Sequence, residues 1–149
     1  ALAGAARVAD LFSGVGTFAL RLAAQAEVHA VDGEEALVQA LKAAADGAGG
    51  ALKAVTIARR DLLRAPLAPL EMKRFDGLAF DPPRSGARLQ AQQIAASKVE
   101  KVAAISCDPV AFARDARILV DGGFTLTRVT PIDQFRWSPH VEIVGAFTR

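Results

Sequence analysis

The thiol of Cys107 stands where an apolar run gives way to the start of a helix, and it is the only cysteine in the 149 residues. Asp108 and Pro109 follow it, and these residue types are favoured at the N-cap and the first position of a helix. The helix dipole stabilises a neighbouring thiolate, whereas the Asp108 carboxylate opposes a second negative charge. A nucleophile at a strand end and an inert, buried cysteine are both open interpretations of Cys107.

Carboxylates also stand at or just after the first four apolar runs or the loops that follow them: Asp10, Asp32, Asp61 and Asp81. The segment "DLFSGVGTF" places Gly14 and Gly16 directly after the first run. Glycines let the backbone turn tightly and approach a ligand, and an acidic residue after the next strand can bind ribose hydroxyls. An ordinary strand-to-helix turn and an N-cap aspartate explain each feature separately, but together they favour a nucleoside cofactor.

The segment "FDPPRSG" at 80–86 carries a second cluster of polar residues. Its two prolines stiffen the exit from a strand and thereby fix the direction of Asp81. Arg84 and Gly86 follow in a loop that is able to contact phosphate. Asp61 is able to accept a hydrogen bond from an exocyclic amine, or it is an ordinary solvated loop residue.

The segment "DQFRWSPHVEIVG" at 133–145 combines a non-periodic loop with an apolar strand. The loop contains Arg136 and Trp137, the only tryptophan. Strand alternation places His140 and Glu142 on one face of the strand. A carboxylate in an apolar strand is unusual unless it is paired or functional, and an exposed glutamate on an edge strand is the alternative.

The elements that must position these residues alternate between strand and helix. Apolar runs predict strands at 6–12, 27–32, 52–58, 75–81 and 101–106, and amphipathic spacing predicts helices at 18–25, 33–50, 89–98 and 109–123. Two final runs, 124–133 and 140–148, have no helix between them and predict a hairpin. This pattern is typical of a parallel sheet covered on both faces, in which ligands bind beyond the carboxyl ends of the strands.

The composition is that of a globular chain, with 52% hydrophobic and 23% charged residues and a net charge of +2. That charge is compatible with a nucleic-acid partner without requiring one. No apolar run has the length of a membrane span, and a single cysteine forms neither an internal disulfide nor a zinc or iron–sulfur site alone. We therefore expect a cytoplasmic monomer without a metal. The chain starts at Ala1, almost at the first strand, which indicates a fragment of a longer protein.

Together, "DLFSGVGTF", "VDG", "FDPPRSG", "ISCDPVAFARD" and "DQFRWSPHVE" resemble the RNA uridine carbon-5 methyltransferases, in the order of that family and over nearly the whole chain. The resemblance implies a Rossmann-like class I methyltransferase fold. It predicts a mostly parallel seven-stranded sheet, an antiparallel C-terminal hairpin and helices on both faces. Residues 1–149 would then be the catalytic domain, with an upstream RNA-binding region absent.

The same resemblance implies a role for each candidate residue. Cys107 matches the family's nucleophile and Glu142 its base. The cofactor would be S-adenosylmethionine, bound by Asp10, Phe12, Gly14, Gly16, Thr17, Asp32, Asp61 and Asp81. The substrate would be RNA, with ribosomal RNA favoured over transfer RNA, contacted by Asp81, Arg84, Arg136, Trp137 and His140.

Three other functions use parts of the same pattern. A dinucleotide oxidoreductase would use the glycine loop and Asp32, but it gives no role to Cys107 or "DPPR". An enzyme that methylates amino groups would carry an aromatic residue in place of Arg84. A domain that binds adenosylmethionine or RNA and is inactive by itself stays open for the isolated chain.

Overall fold

A seven-stranded sheet runs through the part of the chain that the computed structural model describes, residues 1–134, 137–138 and 141–149. In chain order its strands are β1 Arg7–Leu11, β2 Glu27–Asp32, β3 Val55–Arg59, β4 Gly77–Phe80, β5 Lys101–Ser106, β6 Thr125–Ile132 and β7 Glu142–Thr148. Their spatial order is β3-β2-β1-β4-β5-β7-β6. The first five strands are parallel, and β7 is antiparallel to both β5 and β6. The predicted sheet, with its antiparallel C-terminal hairpin, is confirmed.

The helices are α1 Ala19–Leu22, α2 Glu35–Asp46, α3 Pro69–Met72, α4 Arg88–Ala96 and α5 Pro109–Asp121. The sequence pattern predicts all of these except α3, which is too short for a helical period to show. It also overestimates the length of α1 and starts β3 three residues too early. The start of α5 is as expected, because the Asp108 carboxylate accepts hydrogen bonds from the amides of Val110 and Ala111 at 3.0 and 2.8 Å.

Helices cover both faces of the sheet, as predicted. Because alternate residues of a strand point to opposite faces, each strand contributes to two cores. On one face Leu11, Val31 and Phe80 pack in the same cluster as Ile94 of α4 and Leu119 of α5. On the other face β2 packs against α1 and α2 through a smaller cluster: Val28, Ala30, Ala19 and Leu41. None of the helices in the described residues combines the length and apolar character needed to cross a bilayer.

Arg149 fastens the end of β7 to the ends of α4 and α5. Its guanidinium donates to five carbonyl oxygens at 2.7–3.3 Å, those of Ile94, Ala95, Ser97, Val99 and Gly122. It also lies 4.0 Å above the centre of the Phe124 ring. The antiparallel strand that enters the sheet last in the chain is therefore fixed against both neighbouring helices.

Candidate active site

Strand alternation places the main candidate side chains on one face at the carboxyl ends of the parallel strands. Ala79, Ile105 and Val144 belong to one apolar cluster on the face of the sheet that packs against Phe18 and Leu22. Each of three candidates lies two positions along its strand from one of these residues, so its side chain is expected on the same face of the sheet: Asp81, Cys107 and Glu142. Asp32 follows Ala30 on that same face, and Asp10 follows Val8. The alternation of side chains along each strand therefore places these five groups on one face, at the carboxyl ends of the parallel strands.

The register of β5 and β7 directs Cys107 and Glu142 to the same end of the sheet. Ser106 and Ile143 form the last pair of the antiparallel ladder, and Cys107 and Glu142 are the next residues beyond that pair. Gln134 Nε2 donates to Glu142 Oε2 at 3.0 Å from the other side. Sequence analysis missed Gln134, because only the pairing of β6 with β7 brings it to Glu142.

Asp10 is fully buried at the end of β1. Neither of its carboxylate oxygens has a hydrogen-bond partner among the described residues, and the same is true of the nearby Ser13 hydroxyl. Burial raises the pKa of Asp10 to about 7; the Ala19 amide lowers it without completing a hydrogen bond, and the charges of Asp81 and Asp32 raise it further. A buried carboxylate without a partner is costly, and it suits a ligand that brings positive charge or hydrogen-bond donors.

Asp81 is held beside β1, and its pKa is affected by the carboxylate of Glu142, the predicted base. Its amide donates to the Leu11 carbonyl at 3.2 Å, which keeps the first residue after β4 alongside the end of β1. Burial raises the pKa of Asp81 to about 6, and the Glu142 carboxylate adds to the shift. The two carboxylates are therefore close enough to repel each other across the rim.

A cavity of about 480 Å³ opens between the ends of β1, β2, β3 and β4. Three of the predicted cofactor carboxylates line it, Asp32, Asp61 and Asp81, together with apolar side chains: Phe12, Leu37, Leu62, Leu63 and Pro83. Apolar walls with a few fixed acceptors are typical of sites for small organic ligands. The size and lining suit a nucleoside.

Backbone donors orient two of these carboxylates. Asp32 accepts from the amides of Gly14 and Glu34 at 2.8 and 2.9 Å, so it ties the glycine loop to the loop after β2. Asp61 accepts from the amides of Leu63 and Arg64 at 3.0 and 3.3 Å. Both side chains are thus held in place before any ligand arrives.

Gly14 and Gly16, the two glycines of the first loop, have different surroundings. Gly16 has a φ of +96°, which side chains rarely adopt, and a Cβ there would also collide with the Leu41 side chain. A Cβ on Gly14 would meet no atom within 4 Å, so Gly14 borders open space where a ligand can approach. Phe12 has a φ of 61°, a strained conformation of the kind that concentrates at functional sites. Thr17 is exposed in the turn before α1.

Asp108, which directly follows Cys107, is a firmly ionised N-cap with partners of its own. Hydrogen bonds from the amides of Ala111 and Val110, and the Arg84 guanidinium, hold the pKa of Asp108 below its usual range. Arg84 Nε lies 3.6 Å from Asp108 Oδ2, while the Arg84 side chain stays largely exposed. The negative charge next to the thiol is therefore already engaged by three groups.

The predicted RNA contacts are only partly described. Trp137 is fully exposed and so lies outside the hydrophobic core, with a φ of 64°. Arg136 and His140 lie outside the described residues, and their roles stay predictions. A second groove of about 460 Å³, on the opposite face, is lined by His29, Arg60 and Arg74 among others and by none of the predicted site residues.

Sequence analysis also missed Arg114 and Asp115 of α5, which contact the loop after Asp81. One signal was available for Asp115. It lies on the apolar stripe of the helix with Phe112, Ala116 and Leu119, where a charged residue needs a partner.

Comparison with known proteins agrees with this geometry. The model of the tRNA (uracil-5-)-methyltransferase family matches residues 5–148. The chain belongs to this family.

Among its relatives, a protein of Mesorhizobium japonicum named "uncharacterized RNA methyltransferase" is 60% identical over 141 residues, which are 95% of this chain and 34% of that protein. The 23S rRNA (uracil(1939)-C(5))-methyltransferase of Pseudomonas putida is 40% identical over 144 residues, 95% of this chain and 31% of that enzyme. The chain thus spans about a third of the length of these family members.

Solved structures support the same family and fold. The tRNA (uracil-54, C5)-methyltransferase of Pyrococcus abyssi, in complex with S-adenosyl-L-homocysteine, superposes with a TM-score of 0.82 and 26% identity, covering 96% of this chain and 34% of that one. Magnesium protoporphyrin IX methyltransferase from Synechocystis, with a TM-score of 0.73 and 21% identity over 95% of this chain and 69% of its own, shares the fold.

Proposed function

We propose that the full-length protein transfers a methyl group from S-adenosylmethionine to carbon 5 of a uridine in RNA. The observation that carries this proposal is the register of β5 and β7, which brings Cys107 and Glu142 to the end of the sheet where Asp81 lines a nucleoside-sized cavity. Membership of the tRNA (uracil-5-)-methyltransferase family supports it. An oxidoreductase would have no use for this thiol and carboxylate pair.

The residues present fit the proposed cofactor. Asp32 and Asp61 would accept hydrogen bonds from its nucleoside part, and the open space beside Gly14 admits close approach. The partnerless carboxylate of Asp10 suits the positive charge of the cofactor's methionine part. When bound, S-adenosylmethionine supplies a methyl group on a positively charged sulfur.

Cys107 makes carbon 5 reactive. Carbon 5 of uracil is a weak nucleophile, so it does not attack a methyl group unaided. The Cys107 thiolate adds to carbon 6 and forms a sulfur–carbon bond, and the electrons of the 5,6 double bond move into an enolate. Carbon 5 of the enolate would then form a bond to the methyl group as the sulfur–methyl bond breaks, which leaves neutral S-adenosylhomocysteine and removes the negative charge of the enolate.

Glu142 completes the reaction. After methyl transfer, carbon 5 carries both the methyl group and its original proton. The Glu142 carboxylate removes that proton, the 5,6 double bond re-forms, and the bond from Cys107 to carbon 6 breaks to return the thiolate. Gln134 donates to one carboxylate oxygen of Glu142 and would keep the other directed at the substrate.

We propose ribosomal RNA as the substrate ahead of transfer RNA. The relative named as a 23S rRNA enzyme is 40% identical to this chain, whereas the structure named as a tRNA enzyme is 26% identical. The target base must leave its stack to reach Cys107. The exposed Arg84 and Trp137, with Arg136 and His140, are the proposed contacts to the displaced RNA. A monomer in the reducing cytoplasm would keep the thiol free.

The first test incubates the full-length protein with methyl-labelled S-adenosylmethionine and either ribosomal or transfer RNA, followed by nucleoside analysis. We expect labelled 5-methyluridine, with more label from ribosomal RNA. Label in a methylated amino group, or in no nucleoside at all, would contradict the proposal.

The second test separates the two roles. The Glu142→Gln variant should still add Cys107 to carbon 6 and accept the methyl group, but the carbon-5 proton stays and elimination stalls. A denaturing gel should then show a protein–RNA band carrying the methyl label. The band should vanish when Cys107→Ala is added. A Glu142→Gln variant with near wild-type turnover and no retarded band would return Glu142 to a structural role.

A further inference from the structure

The loop that follows Asp81 is bound to the side of α5 through one buried carboxylate. Asp115 is only 4% exposed. Its Oδ2 accepts from the Ala87 amide at 2.8 Å, and its Oδ1 accepts from Arg114 Nε and Nη2 at 2.9 and 2.8 Å. Arg114 Nη2 also donates to the Ser85 carbonyl at 2.9 Å. Two consecutive residues of α5 thus hold the backbone of the loop on either side of Gly86.

Gly86 shows how tightly this loop lies on the helix. A Cβ added there would stand 2.6 Å from Asp115 Oδ2 and would also collide with Arg114 Nη2. The φ of Gly86 is +74°, a conformation that other residues rarely adopt. The glycine in "DPPRSG" is therefore explained by contact with α5.

The same helix contacts the two other parts of the proposed site. Its N-cap, Asp108, directly follows Cys107 and receives Arg84 from the loop. Its Phe112 packs under β7, where a Cβ on Gly145 would stand 2.7 Å from Phe112 Cζ. At 1.5 Å per residue, Asp115 lies roughly 9 Å along the helix axis from the first residue of α5. The helix is thus in contact with all three segments that supply Cys107, Glu142 and Asp81.

We infer that Arg114 and Asp115 are positioning residues, which hold the loop carrying Asp81 and Arg84 at a fixed place relative to Cys107. This inference rests on the proposed function. Asp115 is buried, whereas the Arg114 side chain is 40% exposed, so the ion pair between them adds little stability by itself. Hydrogen bonds between this pair and two backbone groups of the neighbouring loop fix a geometry that apolar packing alone does not.

The chain supplies a matched control on the same helix. Arg117 pairs with Asp121 at 2.8 Å, both side chains are exposed, and neither has a hydrogen bond or ion pair with a predicted site residue among the described residues. In the full-length enzyme we expect Arg114→Ala and Asp115→Asn to lower kcat for RNA methylation roughly ten- to a hundredfold, because small displacements of reacting groups have effects of that size. Arg114→Lys should recover only part of this loss, and Arg117→Ala should stay within about twofold of wild type.

Two further readings distinguish positioning from a general loss of structure. The affinity for S-adenosylhomocysteine should fall much less than kcat, because Asp32 and Asp61 at the ends of β2 and β3 stay in place and only Asp81 of the cavity carboxylates moves with the loop. Amide hydrogen exchange should accelerate at Ala87 in Asp115→Asn and stay unchanged at the β1–β2 ladder. The inference is overturned if Arg114→Ala has the same kcat as Arg117→Ala. It is also overturned if cofactor affinity falls in parallel with kcat. A wild-type enzyme that methylates no uridine overturns the proposed function instead, and the exchange at Ala87 then still tests the contact itself.

Discussion

Replacing Asp10 by asparagine should stabilise the ligand-free chain at neutral and alkaline pH, although it removes a predicted site residue. The carboxylate is buried without a partner, and its pKa is raised from 3.8 to about 7. Because the folded-state pKa lies above the unfolded one, the stability linked to this group is complete below pH 3.8 and is lost as the pH rises through about 7. Asparagine does not ionise and escapes this loss.

The size of the effect follows from the shift. One pKa unit corresponds to about 1.4 kcal/mol, so a shift of roughly three units makes the charged form of Asp10 cost about 4 kcal/mol at pH 8. At pH 5 most of that cost is absent, because the folded state still holds the proton. The difference in unfolding free energy between Asp10→Asn and wild type should therefore grow by about 3 kcal/mol from pH 5 to pH 8. Asp81 titrates in both proteins, so its contribution largely cancels.

Urea unfolding of both proteins at several pH values measures this difference. Asp46→Asn, at the exposed end of α2, is the control for removing a negative charge. We expect the control to give a nearly constant difference from wild type across the same range. A difference between Asp10→Asn and wild type that does not change with pH would refute the account of Asp10 as a buried, ionisable group without a partner.

Three other predictions concern the cofactor, the C-terminus and the isolated chain. Asp32→Asn should weaken S-adenosylhomocysteine binding about tenfold or more in calorimetry, since a hydrogen bond to a charged group contributes roughly 1.5–3 kcal/mol; an unchanged affinity in a folded variant would contradict the assignment. Arg149→Ala should lower the unfolding free energy by roughly 1–2 kcal/mol, a value discounted because the side chain is partly exposed. Arg149→Lys should recover little of this loss, because an ammonium group does not reach five carbonyls. The 149-residue chain should fold and bind cofactor weakly yet methylate RNA poorly, because a net charge of +2 attracts RNA only weakly; turnover equal to that of the full-length enzyme would overturn this.

The sequence predicted the fold well where a simple period governs it. Runs of apolar residues and their spacing located every strand and the longer helices, because burial on a sheet or a helix face imposes that spacing. The short helix α3 left no such signal. The place of β7 between β5 and β6 was also beyond reach, since an apolar run does not say which strands it will pair with.

The candidate site was predictable where function sits at strand ends and was missed where it depends on packing. Asp32, Asp61 and Asp81 each follow a strand, so topology alone sends them to one edge of the sheet. Gln134 and Arg114 act through neighbours that are distant in sequence, and no local pattern reveals such partners. Gly16 has a φ of +96°, which favours glycine whatever ligand binds, so its predicted contact with the cofactor stays a prediction.

The insertion of β7 between two other strands has a consequence for how the enzyme is made. A ribosome releases the segment with Cys107 before the segment with Glu142, and the strands β1 to β5 can form their parallel ladders in the meantime. During that interval the nascent chain holds the proposed nucleophile and the carboxylates of the cavity but not the proposed base. Under the proposed mechanism, attack on RNA at that stage would have no elimination step to release it. Because β7 pairs with the edge of β5 and β6 joins the sheet only through β7, the proposed base and the last two strands enter the sheet in one event. The protein would then become able to turn over only when the sheet is complete.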